Sequence, residues 1–132
     1  MTNGENTIRK ILIVDDDEFL LNMYNLKFKN KGMTPIVAKT GREALEKLRT
    51  GEEEIDCILL DIIMPDMNGL DVLEVIKKEG LDQGKSVIML TNQGSNEEIE
   101  KAKSLGVAGY IVKATSIPSE VVDKVVEIHN DK

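Results

Sequence analysis

Five short apolar runs, each followed by a stretch of helical period, constrain this chain more than any other feature. The runs are Lys10–Val14, Thr34–Ala38, Ile55–Leu60, Ser86–Leu90 and Gly109–Val112. Continuous apolar runs rich in β-branched residues suit strands buried on both faces. Between them the period lengthens. From Asp17 to Lys31, residues Leu20, Met23 and Tyr24 fall at helical spacing, with Gly32 placed to end the helix. Thr40-Gly41-Arg42-Glu43 reads as a capping box ahead of Ala44, Leu45 and Leu48. Leu70 to Lys78 turns Val72, Leu73 and Ile76 to one side. Ser95 and Glu98 form a second capping box, before a helix that stops near Gly106. Val121, Val122, Val125 and Val126 mark a final helix after Pro118. Five βα units of this kind predict an α/β fold, with a parallel sheet covered on both faces and right-handed crossovers.

A chain of 132 residues suits one domain with one sheet and its helices. At 41% apolar and 31% charged it is too apolar for a disordered segment. With no Trp, two Phe and two Tyr, its core must be aliphatic. The formal charge of −7 argues against direct nucleic-acid binding and favours a divalent cation or a basic partner. A single cysteine, Cys57, excludes an internal disulfide and fits a reducing compartment. No apolar run approaches membrane-spanning length, and Met1–Arg9 reads as a polar tail without the apolar stretch of a signal peptide. The expectation is a cytoplasmic domain over residues 10–129, with no effector domain in this chain and no membrane insertion.

Four of the five runs end in a residue suited to a phosphate or a metal. The first ends at Asp15 and Asp16, the third at Asp61, the fourth at Thr91 and the fifth at Lys113. In an open parallel sheet, ligands bind at the carboxyl edge of the strands, where these residues would meet. Three adjacent carboxylates repel one another, and a hard divalent cation such as Mg²⁺ relieves the conflict with oxygen ligands. Lys113 adds a positive charge and Thr91 a hydroxyl donor. Phosphoryl transfer needs positioning and charge neutralisation, and a carboxylate nucleophile would give an aspartyl phosphate.

Asp15-Asp16, the segment Asp61-Ile62-Ile63-Met64-Pro65-Asp66-Met67-Asn68-Gly69, then Thr91, Gly109-Tyr110 and Lys113 together resemble response-regulator receiver domains. The resemblance runs from Lys10 to Ile128. It implies a flavodoxin-like (βα)5 fold with strand order 2-1-3-4-5. It implies Asp61 as phosphoacceptor, and Mg²⁺ held by Asp16, Asp15, Asp61 and the backbone carbonyl of Ile63. Thr91 and Lys113 would grip the phosphoryl oxygens, and Tyr110 would turn inward as Thr91 shifts. The donor would be a histidine kinase or a histidine phosphotransfer protein, and the output a contact with a downstream target protein. Asp17 looks like a helix-start residue.

The chain departs from the family after Lys113, where the usual proline is Ala114. That leaves open whether the bond is cis or trans, and with it the pose of Lys113 and the path of Thr115–Pro118. Ile63 and Gln93 occupy the positions that tune phosphoryl lifetime in the family. An apolar Ile63 cannot hydrogen-bond an attacking water, so slow loss of phosphate is expected. Plainer readings stand beside these. Asp15–Asp17 could cap the first helix, Tyr110 could be ordinary packing, His129 a solvated or half-buried helix residue, and Cys57 an inert buried thiol. Two other functions compete with the receiver reading. In a small Mg²⁺-dependent aspartyl-phosphate phosphatase, Asp15 and Asp17 would be nucleophile and acid. The third possibility is a non-phosphorylated binding module on the same fold.

Overall fold

The computed structural model describes residues 7–92 and 95–131. Its strands are β1 (Lys10–Val14), β2 (Thr34–Ala38), β3 (Cys57–Asp61), β4 (Ser86–Thr91) and β5 (Gly109–Val112). All pair in parallel, in the order β2-β1-β3-β4-β5. The helices are α1 (Glu18–Asn30), α2 (Gly41–Thr50), α3 (Gly69–Glu79), α4 (Asn96–Ser104) and α5 (Pro118–Asn130), with a 3₁₀ turn over Lys113–Thr115. This is the expected five-fold βα alternation and strand order.

Strand periodicity divides the core in two. Leu12, Val14, Ile58, Leu60, Val87 and Met89 point toward α2, α3 and α4. Ile11, Ile13, Cys57, Leu59, Ile88 and Leu90 point toward α1 and α5. Successive side chains of a strand face opposite sides, so an unbroken apolar run is what a sheet covered twice requires. Every residue of β3 and β4 is buried.

Local chemistry sets most element ends. The Asp17 carboxylate accepts from Leu20 N at 3.1 Å and caps α1. Gly32, at φ 92°, turns the chain out of α1. Ser95 and Glu98 make both arms of a capping box on α4. At α2 only half of the expected box forms. Thr40 Oγ1 accepts from Glu43 N, but the Glu43 carboxylate accepts from Lys39 N, one residue before the cap. Pro118 opens α5, where its missing N–H costs nothing.

The expected polar tail over residues 1–9 is shorter than the sequence suggested. Residues 1–6 lie outside the described part, but Ile8 is 2% exposed and belongs to the core. The Asp56 carboxylate accepts from the amides of Arg9 and Lys10 and draws this segment onto the sheet. A lone isoleucine among polar neighbours gives no periodic signal, so only packing reveals its role. The central strand makes a direct test possible. Leu59→Ala, at a fully buried position, is expected to lower stability by about 2–5 kcal/mol in urea denaturation, with the fold retained.

Candidate functional site

The carboxyl edge of the sheet gathers the chemistry. Asp15 follows β1, and its amide bonds Ala38 O at 3.1 Å, which continues the ladder and buries the side chain completely. Asp61 ends β3 opposite Leu90 and is 3% exposed. Asp16 is exposed between them, and one oxygen from each of Asp15, Asp16 and Asp61 lies within 4.8 Å of the others. Thr91, buried, ends β4 one residue beyond Leu90. Four residues from three strand ends thus share one edge with Lys113, which follows β5.

Lys113 joins the cluster. Its ammonium lies 2.8 Å from Asp15 Oδ2 and 3.2 Å from Asp61 Oδ2. The alanine after it does not prevent this reach. The Lys113–Ala114 bond is trans, and the backbone goes directly into a 3₁₀ turn closed by Ser116 N to Lys113 O at 3.2 Å. Burial pushes the Asp61 carboxyl up to about 7, and the neighbouring Asp15 charge adds to the rise against the pull of Lys113. Burial also works against the Lys113 charge, but the hydrogen bond to Asp15 and the two nearby carboxylates outweigh it and raise its pKa.

The donor set fits a hard divalent cation. Three carboxylates face one ammonium, all the donors are oxygen, and one member, Asp16, is open to solvent. Asp15 Oδ1 accepts from Asp17 N at 3.0 Å. Asp15 Oδ2 is fully buried, and among the described residues its one partner is the Lys113 ammonium at 2.8 Å. An under-satisfied buried carboxylate oxygen has capacity left for a metal. Asp15, Asp16 and Asp61 are the described side chains that could hold a metal ion.

The loop after Asp61 is fixed by backbone contact. Gly69 N donates to Ile62 O at 2.6 Å, and a Cβ at Gly69 would collide with the Asp61 carbonyl oxygen. No side chain fits there. Asp66, in the same loop, accepts from the amides of Gly41 and Arg42 at 3.2 Å and so caps α2 from outside it. Burial works to raise its pKa, but the amides of Arg42, Gly41, Met67 and Asp66 together outweigh that and lower it. The sequence alone does not reveal this role, since the cap comes from residues remote in sequence. It also gives no special role to Tyr24, which is buried near the cluster and pushed up to about 12, first by burial.

Other candidates separate from the edge. Ile63 is 61% exposed within the loop after Asp61, and Gln93 lies outside the described residues. Tyr110 is 39% exposed, turned outward from β5. His129 Nδ1 pairs with Ser86 Oγ at 2.7 Å. Ser86 opens β4, so this pair sits at the opposite edge of the sheet from the carboxylates. Cys57 is fully buried.

Asp61 should leave a signature in stability. Its folded pKa lies above its unfolded value of 3.8, so the native state holds a proton that the unfolded chain has released. Between pH 4 and 7 the metal-free protein should therefore lose stability as pH rises, relative to Asp61→Asn, by about 1–3 kcal/mol. Urea denaturation in chelator across that range checks this, and the opposite slope would overturn it.

Residues 11–125 match the response regulator receiver domain family. The chain is 32% identical over 120 residues to the chemotaxis protein CheY of Halobacterium salinarum, covering 91% of this chain and 96% of that one. It is 33% identical over 117 residues to the DNA-binding response regulator MtrA of Mycobacterium tuberculosis, and there it spans 49% of the relative's length. Among solved structures, a CheY-like receiver domain protein from Methanospirillum hungatei superposes with a TM-score of 0.83 at 31% identity, covering 95% of this chain and 96% of that one. CheY4 of Vibrio cholerae does so at 0.82 and 26%, covering 92% and 99%. With fold, edge and family in agreement, this chain belongs to the receiver domains of two-component response regulators.

Proposed function

We propose that Asp61 accepts a phosphoryl group from a partner phosphohistidine and that the domain, over residues 10–129, signals by the change this makes to its surface. The observation that carries the reading is the Lys113 ammonium held between Asp15 and Asp61, with the Asp16 carboxylate alongside. An Asp61 oxygen forms the new bond to phosphorus as the bond from phosphorus to the histidine nitrogen breaks. The imidazole leaves with the electron pair and takes up a proton. Lys113 stabilises the phosphoryl oxygens electrostatically, and Thr91 donates its hydroxyl to one of them. Asp16, Asp15, Asp61 and the Ile63 carbonyl would hold Mg²⁺, which when bound would supply neutralising charge.

In this reading the partners are a histidine kinase or a histidine phosphotransfer protein upstream and a target protein downstream. Thr91 and Tyr110 are the switch pair, and phosphorylation shifts a population between two packings. The domain assists its own phosphorylation and dephosphorylation. Among the described residues no helix is long and apolar enough to cross a membrane, which accords with a cytoplasmic setting.

The phosphatase reading loses support from Asp17. Its carboxylate caps α1, and both oxygens of Asp15 already have contacts within the protein. A nucleophile and acid two residues apart would need those two side chains open to substrate. The binding-module reading would leave the set of Asp61, Asp15, Asp16 and Lys113 without a purpose.

The test is direct. Acetyl phosphate with Mg²⁺ should add one phosphoryl group, detected by intact mass, and beryllofluoride with Mg²⁺ should shift the amide signals around Asp61. Both responses should vanish in Asp61→Asn, and modification should slow by at least about 10-fold in Lys113→Ala. No response in the wild-type protein would sink the reading. The exposed, apolar Ile63 cannot orient water by hydrogen bonding, so the phosphoryl group should persist for minutes or longer in a decay assay. A half-life of seconds at neutral pH would count against that.

A further inference from the structure

We propose that Lys103 is a positioning residue for Tyr110, holding the ring on the outer side of β5 and opposing its inward state. The inference rests on the reading of Tyr110 as half of the switch pair, and adds a control that the phosphoryl site itself does not contain.

The register of the sheet gives the geometry. Met89 pairs with Tyr110 and Thr91 with Val112, so Tyr110 and Thr91 lie on the same face of the sheet, two positions apart. That face is covered by α2, α3 and α4, since Met89 packs in their core. Lys103 comes from the last turn of α4, and its ammonium stands 5.7 Å from the centroid of the Tyr110 ring. The other lysine of that turn, Lys101, is tied to Glu74 at 2.7 Å. Lys103 has no carboxylate within 4.0 Å of its ammonium among the described residues, and the aromatic face is its charge partner. A ring turned toward Thr91 would leave that position, so the contact belongs to the outward state alone. A contact made in only one of two states biases the equilibrium by its own free energy.

At an exposed site such a pair is worth about 0.5–1 kcal/mol, which converts to about 2–5-fold in population. Lys103→Met keeps the apolar stem and removes the charge. In the protein without a phosphoryl mimic, the nuclear Overhauser contact between the Tyr110 ring and the Thr91 methyl should strengthen in Lys103→Met and stay at the wild-type level in Lys103→Arg. The apparent Kd for beryllofluoride with Mg²⁺ should fall about 2–5-fold in Lys103→Met. In a Tyr110→Ala background the same substitution should leave that Kd unchanged. An unchanged ring contact in Lys103→Met overturns the proposal. So does a Kd shift that persists without Tyr110, because Lys103 would then act by another route. If the wild-type protein fails to bind beryllofluoride, the acceptor reading falls, while the ring contact still decides the role of Lys103.

Discussion

The buried ion pair between Lys113 and the two carboxylates of Asp15 and Asp61 is the constraint around which the site is built. An unpaired carboxylate at Asp15, with no exposure at all, would carry a large desolvation penalty. The ammonium removes part of that penalty, yet one cation faces three acids. Burial, with the Asp15 charge adding to it, keeps the Asp61 carboxyl far above its ordinary value. An excess of acids over bases is also an arrangement that a bound cation would relieve. Without Lys113 the carboxylates would repel each other at the sheet edge, and without the carboxylates the ammonium would have no reason to be buried.

Backbone geometry holds that arrangement in place. Asp15 is fixed by a ladder bond to Ala38 beyond the end of β1, and Asp61 by a loop whose return at Gly69 admits no side chain. Asp66 then ties this loop to the N-terminus of α2. The loop beside the acceptor is thus tied directly to a helix on the sheet face of α2, α3 and α4. Tyr110 and Lys103 belong to that face too, at its other end.

The sequence made the strands legible because a sheet covered on both faces demands unbroken apolar runs. The runs ending at Asp61 and Thr91 matched the structure to within two residues at their starts and one at their ends. Capping was legible at Asp17 and Ser95, where donor and acceptor are near neighbours, and Pro118 marked the start of α5. It was only half legible at Thr40, where Glu43 had a choice of amides and took that of Lys39. Ile8 was misplaced in the tail because one buried residue has no period.

The sequence by itself determined the fold class, the strand order through family resemblance, and the identity of the residues on the reactive edge. Each of these depends on short-range patterns or on motifs of fixed spacing. Tertiary structure alone decided how Lys113 reaches two carboxylates when alanine follows it, which acid caps α2, and that Tyr110 faces outward beneath the Lys103 ammonium. These are contacts between residues separated by whole βα units or by a turn and a strand. Their free energies depend on distances and burial that only packing sets.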